Sequence, residues 1–165
     1  MKSRGRQRIL LTASVLSVMA CFSCNGPSGQ DIRYSHFEKI PDNGWKSTKA
    51  LIFEPRPIDS IVRPGDAYRL EMMVRLRGNR PAADIPIVVN TDDETGLKSS
   101  DTLRINVDIG QMKARHSYGT TELSMTLDDN LRLNDGYRVE IHPLADREDS
   151  RDLIDIGLIL IRKNK

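Results

Sequence analysis

Cysteine is almost absent: the 165 residues hold two, Cys21 and Cys24, both near the N-terminus. The body of the chain therefore cannot form a disulfide and must hold itself together by burial alone, unlike many small exported domains. Aromatic residues are also few, with one Trp, four Tyr and three Phe. That scarcity argues against a glycan-binding surface paved with flat rings. No apolar run approaches the roughly 18 residues of a transmembrane helix. Neither sign of charge dominates, so the concentrated basic stripe of a nucleic-acid binder is missing, and nucleic acid is not an expected partner.

The local chemistry of common active sites is missing too. There is no Gly-x-Ser-x-Gly elbow and no Gly-rich phosphate loop. His36, His116 and His142 are too far apart in sequence for a zinc motif, and no later cysteine could complete one. They read as surface or rim histidines. Asp92-Asp93-Glu94 lacks the alternating oxygen ligands and distal glutamate of an EF-hand loop and reads as a solvated turn. No catalytic residue, metal site, cofactor or small-molecule ligand is expected.

What the chain does have begins at its first residues. Lys2, Arg4, Arg6 and Arg8 precede residues 9–20, an uncharged and mostly apolar run of 12 that ends in Ala20, just before Cys21. A positive start, a short apolar core and a small residue at the cut make a cleavable export segment. Cysteine immediately after the cut marks a bacterial lipoprotein, whose new N-terminal thiol carries a diacylglyceryl group. Cys21 is the preferred attachment residue. Cys24, preceded by Ser23, is the alternative. Residues 1–20 are then the signal peptide, helical as such segments are. Residues 21–30, with Asn25-Gly26-Pro27-Ser28-Gly29, are the lipidated cysteine and a flexible tether. Losing the four basic residues of the signal leaves 21 Lys+Arg against 23 Asp+Glu, a net charge of −2 in place of the whole chain's +2.

Residues 31–165 are long enough for one domain and follow a period of two. In 67–77, Tyr68, Leu70, Met72, Val74 and Leu76 share one face, with Arg69, Glu71, Met73 and Arg75 opposite. Residues 102–109, 121–127 and 137–141 repeat the pattern, the last after the Asn134-Asp135-Gly136 turn. Residues 51–53 and 85–89 are short apolar runs; Pro86 demands a strand start, an edge or a bulge. The aliphatic run 153–161 reads as a central strand covered on both faces. Loops are expected at 81–83, 92–99 and 145–152. The sum is an antiparallel β-sandwich of about seven or eight strands. Tyr68 and Tyr137 fall in phase with the core, which leaves Tyr34, Phe37 and Trp45 as the candidate exposed interaction surface, with Tyr118 a possible addition.

The order of these features resembles the gliding-motility lipoprotein H (GldH) family of gliding bacteria and their non-gliding relatives. After the lipidated cysteine, the resemblance rests on Tyr34-x-x-Phe37, Pro41-x-x-Gly44-Trp45, the 68–75 strand and Asp101-Thr102-Leu103. It continues through Tyr137-x-x-x-Ile141 and Asp155-x-Gly157-Leu158. Arg80-Pro81-Ala82-Ala83 and His142-Pro143-Leu144 depart from the family pattern. The resemblance implies a non-enzymatic envelope protein, anchored through its lipid and facing the periplasm from the outer membrane. Its partners would be components of the motility or protein-secretion machinery. The alternative is a glycan-binding or glycan-processing sandwich lipoprotein using the surroundings of Trp45.

Overall fold

The computed structural model describes residues 30–56, 66–78, 84–106, 112–133, 136–146 and 152–163. Within them nine strands form two antiparallel sheets. Residues 1–20 (expected to be a signal peptide), both cysteines and nearly all of the expected tether lie outside the described residues, as does the loop expected at 81–83.

The alternation in 67–77 becomes β3, Tyr68–Arg77, the middle strand of a five-stranded sheet. Tyr68, Leu70, Met72, Val74 and Leu76 are buried, while Met73 and the charged residues face outward. On one side β3 pairs with β9 (Leu153–Arg162), which pairs with the edge strand β1 (Asp31–Lys39). On the other it pairs with β7 (Thr120–Leu131), which carries the short edge strand β6 (Lys113–Ser117). The second sheet runs β2 (Leu51–Phe53), β8 (Arg138–Pro143), β4 (Asp84–Asp93), β5 (Gly96–Asn106). Its inward side chains, including Phe53, Ile87, Val89, Ile105, Val139 and Ile141, join those of β3, β7 and β9 in one core. Tyr68 is fully buried there and Tyr137 packs against it, as their phase required.

Pro86 is the third residue of β4, one position before pairing with β8 begins. Its carbonyl accepts from the Leu144 N–H at 3.0 Å, on the β8 side. Its missing N–H therefore faces the end of that ladder and costs the β5 pairing nothing.

One expectation needs correction, and one strand went unforeseen. Residues 92–99 are not a loop: β4 continues through Asp93 and β5 starts at Gly96, leaving Glu94 and Thr95 as the turn. The Asp93 carboxylate holds that turn, accepting from the Thr95 backbone N–H at 2.8 Å and the Thr95 hydroxyl at 2.7 Å. Residues 113–117 form a strand that no periodicity announced. All five are exposed, so no apolar alternation is required of them.

The sandwich has two distinguishable ends. At the end where β1 begins, Asp31 pairs with Arg162, and the Lys163 side chain reaches Asp129. The β4–β5 turn and Gly136 meet at this end. At the other end, Ile40 N–H donates to the Ile154 carbonyl, Ser47 donates to Asp146, and Gly78 N–H donates to the Gly119 carbonyl. A chain arriving from residue 30 thus enters at the first end and leaves the second free.

Candidate functional site

The three candidate surface aromatics do not share a surface. Tyr34 and Phe37 are an odd number of positions apart in one strand, so pleating sends them to opposite faces. Tyr34 lies on the inner side, half-buried against the core. Burial raises its hydroxyl pKa, with Glu38 and Glu54 adding to the effect. Its ring lies 6.3 Å from His36, which meets the buried Phe53 ring edge-on at 6.0 Å. Trp45, only 1% exposed, is part of the core, and its indole N–H donates to the Lys49 carbonyl at 2.8 Å. The turn that delivers it is closed by Gly44 N–H on the Pro41 carbonyl at 3.0 Å, with Gly44 at φ 101°. An indole buried this way cannot serve as a stacking platform for a sugar. This removes Trp45 as support for a glycan-binding role.

Phe37 faces outward and lies across Gly157 of β9, its cross-strand partner. A side chain at 157 would occupy the space of the Phe37 ring, so glycine here is a matter of room. The Arg75 guanidinium stacks 5.0 Å from the ring centroid. It also makes a two-pronged ion pair with Asp155, Nε donating at 2.7 Å and the terminal nitrogen donating to the other oxygen. That carboxylate raises the Arg75 pKa further, against a smaller opposing effect of burial. Asp155 is buried beneath this arrangement.

Register extends the ion pair into a row crossing all five strands. Lys39, Asp155, Arg75, Glu122 and Arg115 are successive cross-strand neighbours, alternating in sign. Opposite charges placed so contribute about 0.2–1 kcal/mol per pair. The adjacent row runs Phe37, Gly157, Met73, Ser124, Lys113. Both rows end in a cation on β6.

The β6–β7 hairpin is where sequence reasoning saw least. Its two-residue turn, Tyr118-Gly119, has positive φ at both positions, 30° and 80°. Only glycine, asparagine and aspartate adopt that geometry readily, so tyrosine there is strained. The Tyr118 ring is nonetheless fully exposed. Two bonds clamp the tip to the end of β3: Gly78 N–H to the Gly119 carbonyl at 2.7 Å, and the Thr121 hydroxyl to the Gly78 carbonyl at 2.8 Å. Having donated its one proton, Thr121 must accept from His116 Nδ1, 3.0 Å away. The imidazole is thereby held with Nδ1 protonated. The available signal was Tyr-Gly between Ser117 and Thr120, a turn flanked by strand formers.

The histidines sit on three different strands, β1, β6 and β8. Among the described residues no three His, Cys, Asp or Glu side chains gather as metal ligands, and no helix is long and apolar enough to cross a membrane. Compared with protein-family models and with curated proteins, the sequence finds no match.

Proposed function

We propose that this protein is a bacterial envelope lipoprotein that works by contact with other proteins. Its acylated cysteine, Cys21 or failing that Cys24, holds the sandwich at the outer membrane on the periplasmic side. Its role would be that implied by the resemblance to gliding-motility lipoprotein H: assistance to gliding or to the associated protein-secretion machinery, without catalysis. The observation that carries this reading is the join of basic n-region, 12-residue apolar core and Ala20-Cys21, only ten residues ahead of the first strand. Acyl chains contribute about 0.8 kcal/mol per buried methylene, so a multiply acylated terminus anchors firmly without help from the domain. The outward charge row and the exposed hairpin then belong to a surface available to partners.

The test is fractionation of cells expressing Cys21→Ser, Cys24→Ser and the double variant. Cys21→Ser should move the folded protein to the soluble fraction. If only Cys24→Ser does so, the attachment residue is reassigned and the anchor stands. A double variant that stays in the membrane fraction refutes the anchor.

A further inference from the structure

We infer that the open edge of β6, together with Tyr118 at its tip, docks an extended acidic segment of a partner protein as an added strand. Edge strands invite such pairing unless something blocks them. Two other edges of this sandwich neutralise their own charge. On β1, Asp31 pairs with Arg33 and Lys39 with Asp42, while His36 Nε2 lies in hydrogen-bond contact with Glu38. On β5, Arg104 pairs with Asp84, and Lys98 with Asp93. The β6 edge does so only in part. Arg115 faces Glu122 across the ladder, but Lys113 stands opposite Ser124 and Arg77 opposite Thr120, neither in an ion pair among the described residues, and all three cations are exposed.

Among the described residues, the backbone of β6 is equally available. A two-residue turn makes Ser117 and Thr120 a hydrogen-bonded pair, and alternation then directs the N–H and C=O of Ala114 and His116 away from β7. An incoming strand finds donors and acceptors at these two residues, cations at 113 and 115 on one face, and an exposed aromatic ring on a clamped turn at the tip. Exposed tyrosines on rigid supports are typical anchors of interfaces. A strained turn kept in place by two bonds from β3 suits a residue held for contact. Charge complementarity selects an acidic occupant, and the open ladder selects an extended one. This end of the sandwich also lies opposite the entry of the chain from residue 30. The inference rests on the lipoprotein reading for that orientation only; the docking itself needs no lipid.

The experiment uses the full-length protein in detergent and a fluorescent peptide of about ten residues alternating Glu and Val, with a Lys-Val peptide as control. Fluorescence anisotropy should show saturable binding of the acidic peptide alone, weakening as salt screens the charges. Lys113→Glu with Arg115→Glu should weaken it about tenfold, in line with reversing two exposed charges. Tyr118→Ala should weaken it at least severalfold. Ala114→Pro, which removes an outward N–H while sparing the β7 ladder, should abolish it. Trp45 fluorescence verifies that each variant is folded. Absence of saturable binding, equal binding of the two peptides, or indifference to the charge and proline variants overturns the inference. So does a concentration-dependent dimer that Ala114→Pro dissolves, because the occupant would then be a second copy. Soluble release of the double cysteine variant with no peptide binding would sink the docking and leave the anchor intact.

Discussion

Gly157→Ala should destabilise the protein through a single neighbour, and removing that neighbour should reverse the sign. A Cβ at 157 would lie 2.7 Å from Phe37 Cγ and closer still to Cδ1 and Cε1. Contacts that short are not tolerated, so the ring must swing off β9. Gly157 does not have a positive φ, so the penalty is steric and carries no backbone contribution. Overpacking of this kind costs about 1–3 kcal/mol. The displaced ring also leaves the Arg75 guanidinium, loosening the cover over the buried Asp155. With Phe37→Ala already in place the space is open. There, alanine at 157 restricts the unfolded chain and should be neutral or stabilising by up to about 1 kcal/mol. Trp45 is the sole tryptophan and is buried, so its fluorescence reports urea unfolding of the whole sandwich. With a urea slope of about 2 kcal/mol/M, the single variant should lower the midpoint by roughly 0.5–1.5 M. The four-variant cycle should give a coupling of about 1–4 kcal/mol. Additive effects, or an unchanged midpoint for Gly157→Ala alone, would refute the claim that room for Phe37 is why glycine stands there.

Tyr118→Asn should raise the urea midpoint, because asparagine tolerates the positive φ that tyrosine resists; the expected gain is about 0.5–1 kcal/mol. A loss of stability would show that the tyrosine ring packs in the folded state. Burial and the nearby Asp128 push the Tyr137 hydroxyl up to about 12. The fold thus holds its proton longer than the unfolded chain, whose tyrosines ionise near pH 10. This contribution to stability is complete below pH 10 and is lost as pH climbs toward 12. Tyr137→Phe should therefore flatten the alkaline decline in that window. Equal declines in variant and parent, measured by chemical unfolding across pH 9–12, would refute it.

Much of the architecture could be read from side-chain alternation. Residues 67–77 name an inward and an outward face without ambiguity, because one side must be dry and the other wet. The run 153–161 reads as central because both faces are apolar, and it does lie between β1 and β3. Edge strands defeat the same reasoning. β6 and the first half of β5 are exposed on both faces, so burial imposes no pattern, and only their hydrogen bonds make them strands. The candidate surface was less legible still. The period of two already separated Tyr34 from Phe37, but whether Trp45 turned inward depended on the turn before it and on the Lys49 carbonyl.

By itself, the order of residues determined the class of fold and the inward faces of the long strands. Both follow from local chemistry: pleat periodicity and turn formers. The tertiary structure alone decided which strands are neighbours. With that it decided that Phe37 lies over Gly157, that Arg75 grips an aspartate 80 positions away, and that Lys113, Arg115 and Arg77 lie along the hairpin that ends in Tyr118. Contacts between residues so distant in the chain depend on sheet order and register. These are set by the cooperative burial of every strand at once and appear in no single stretch of sequence.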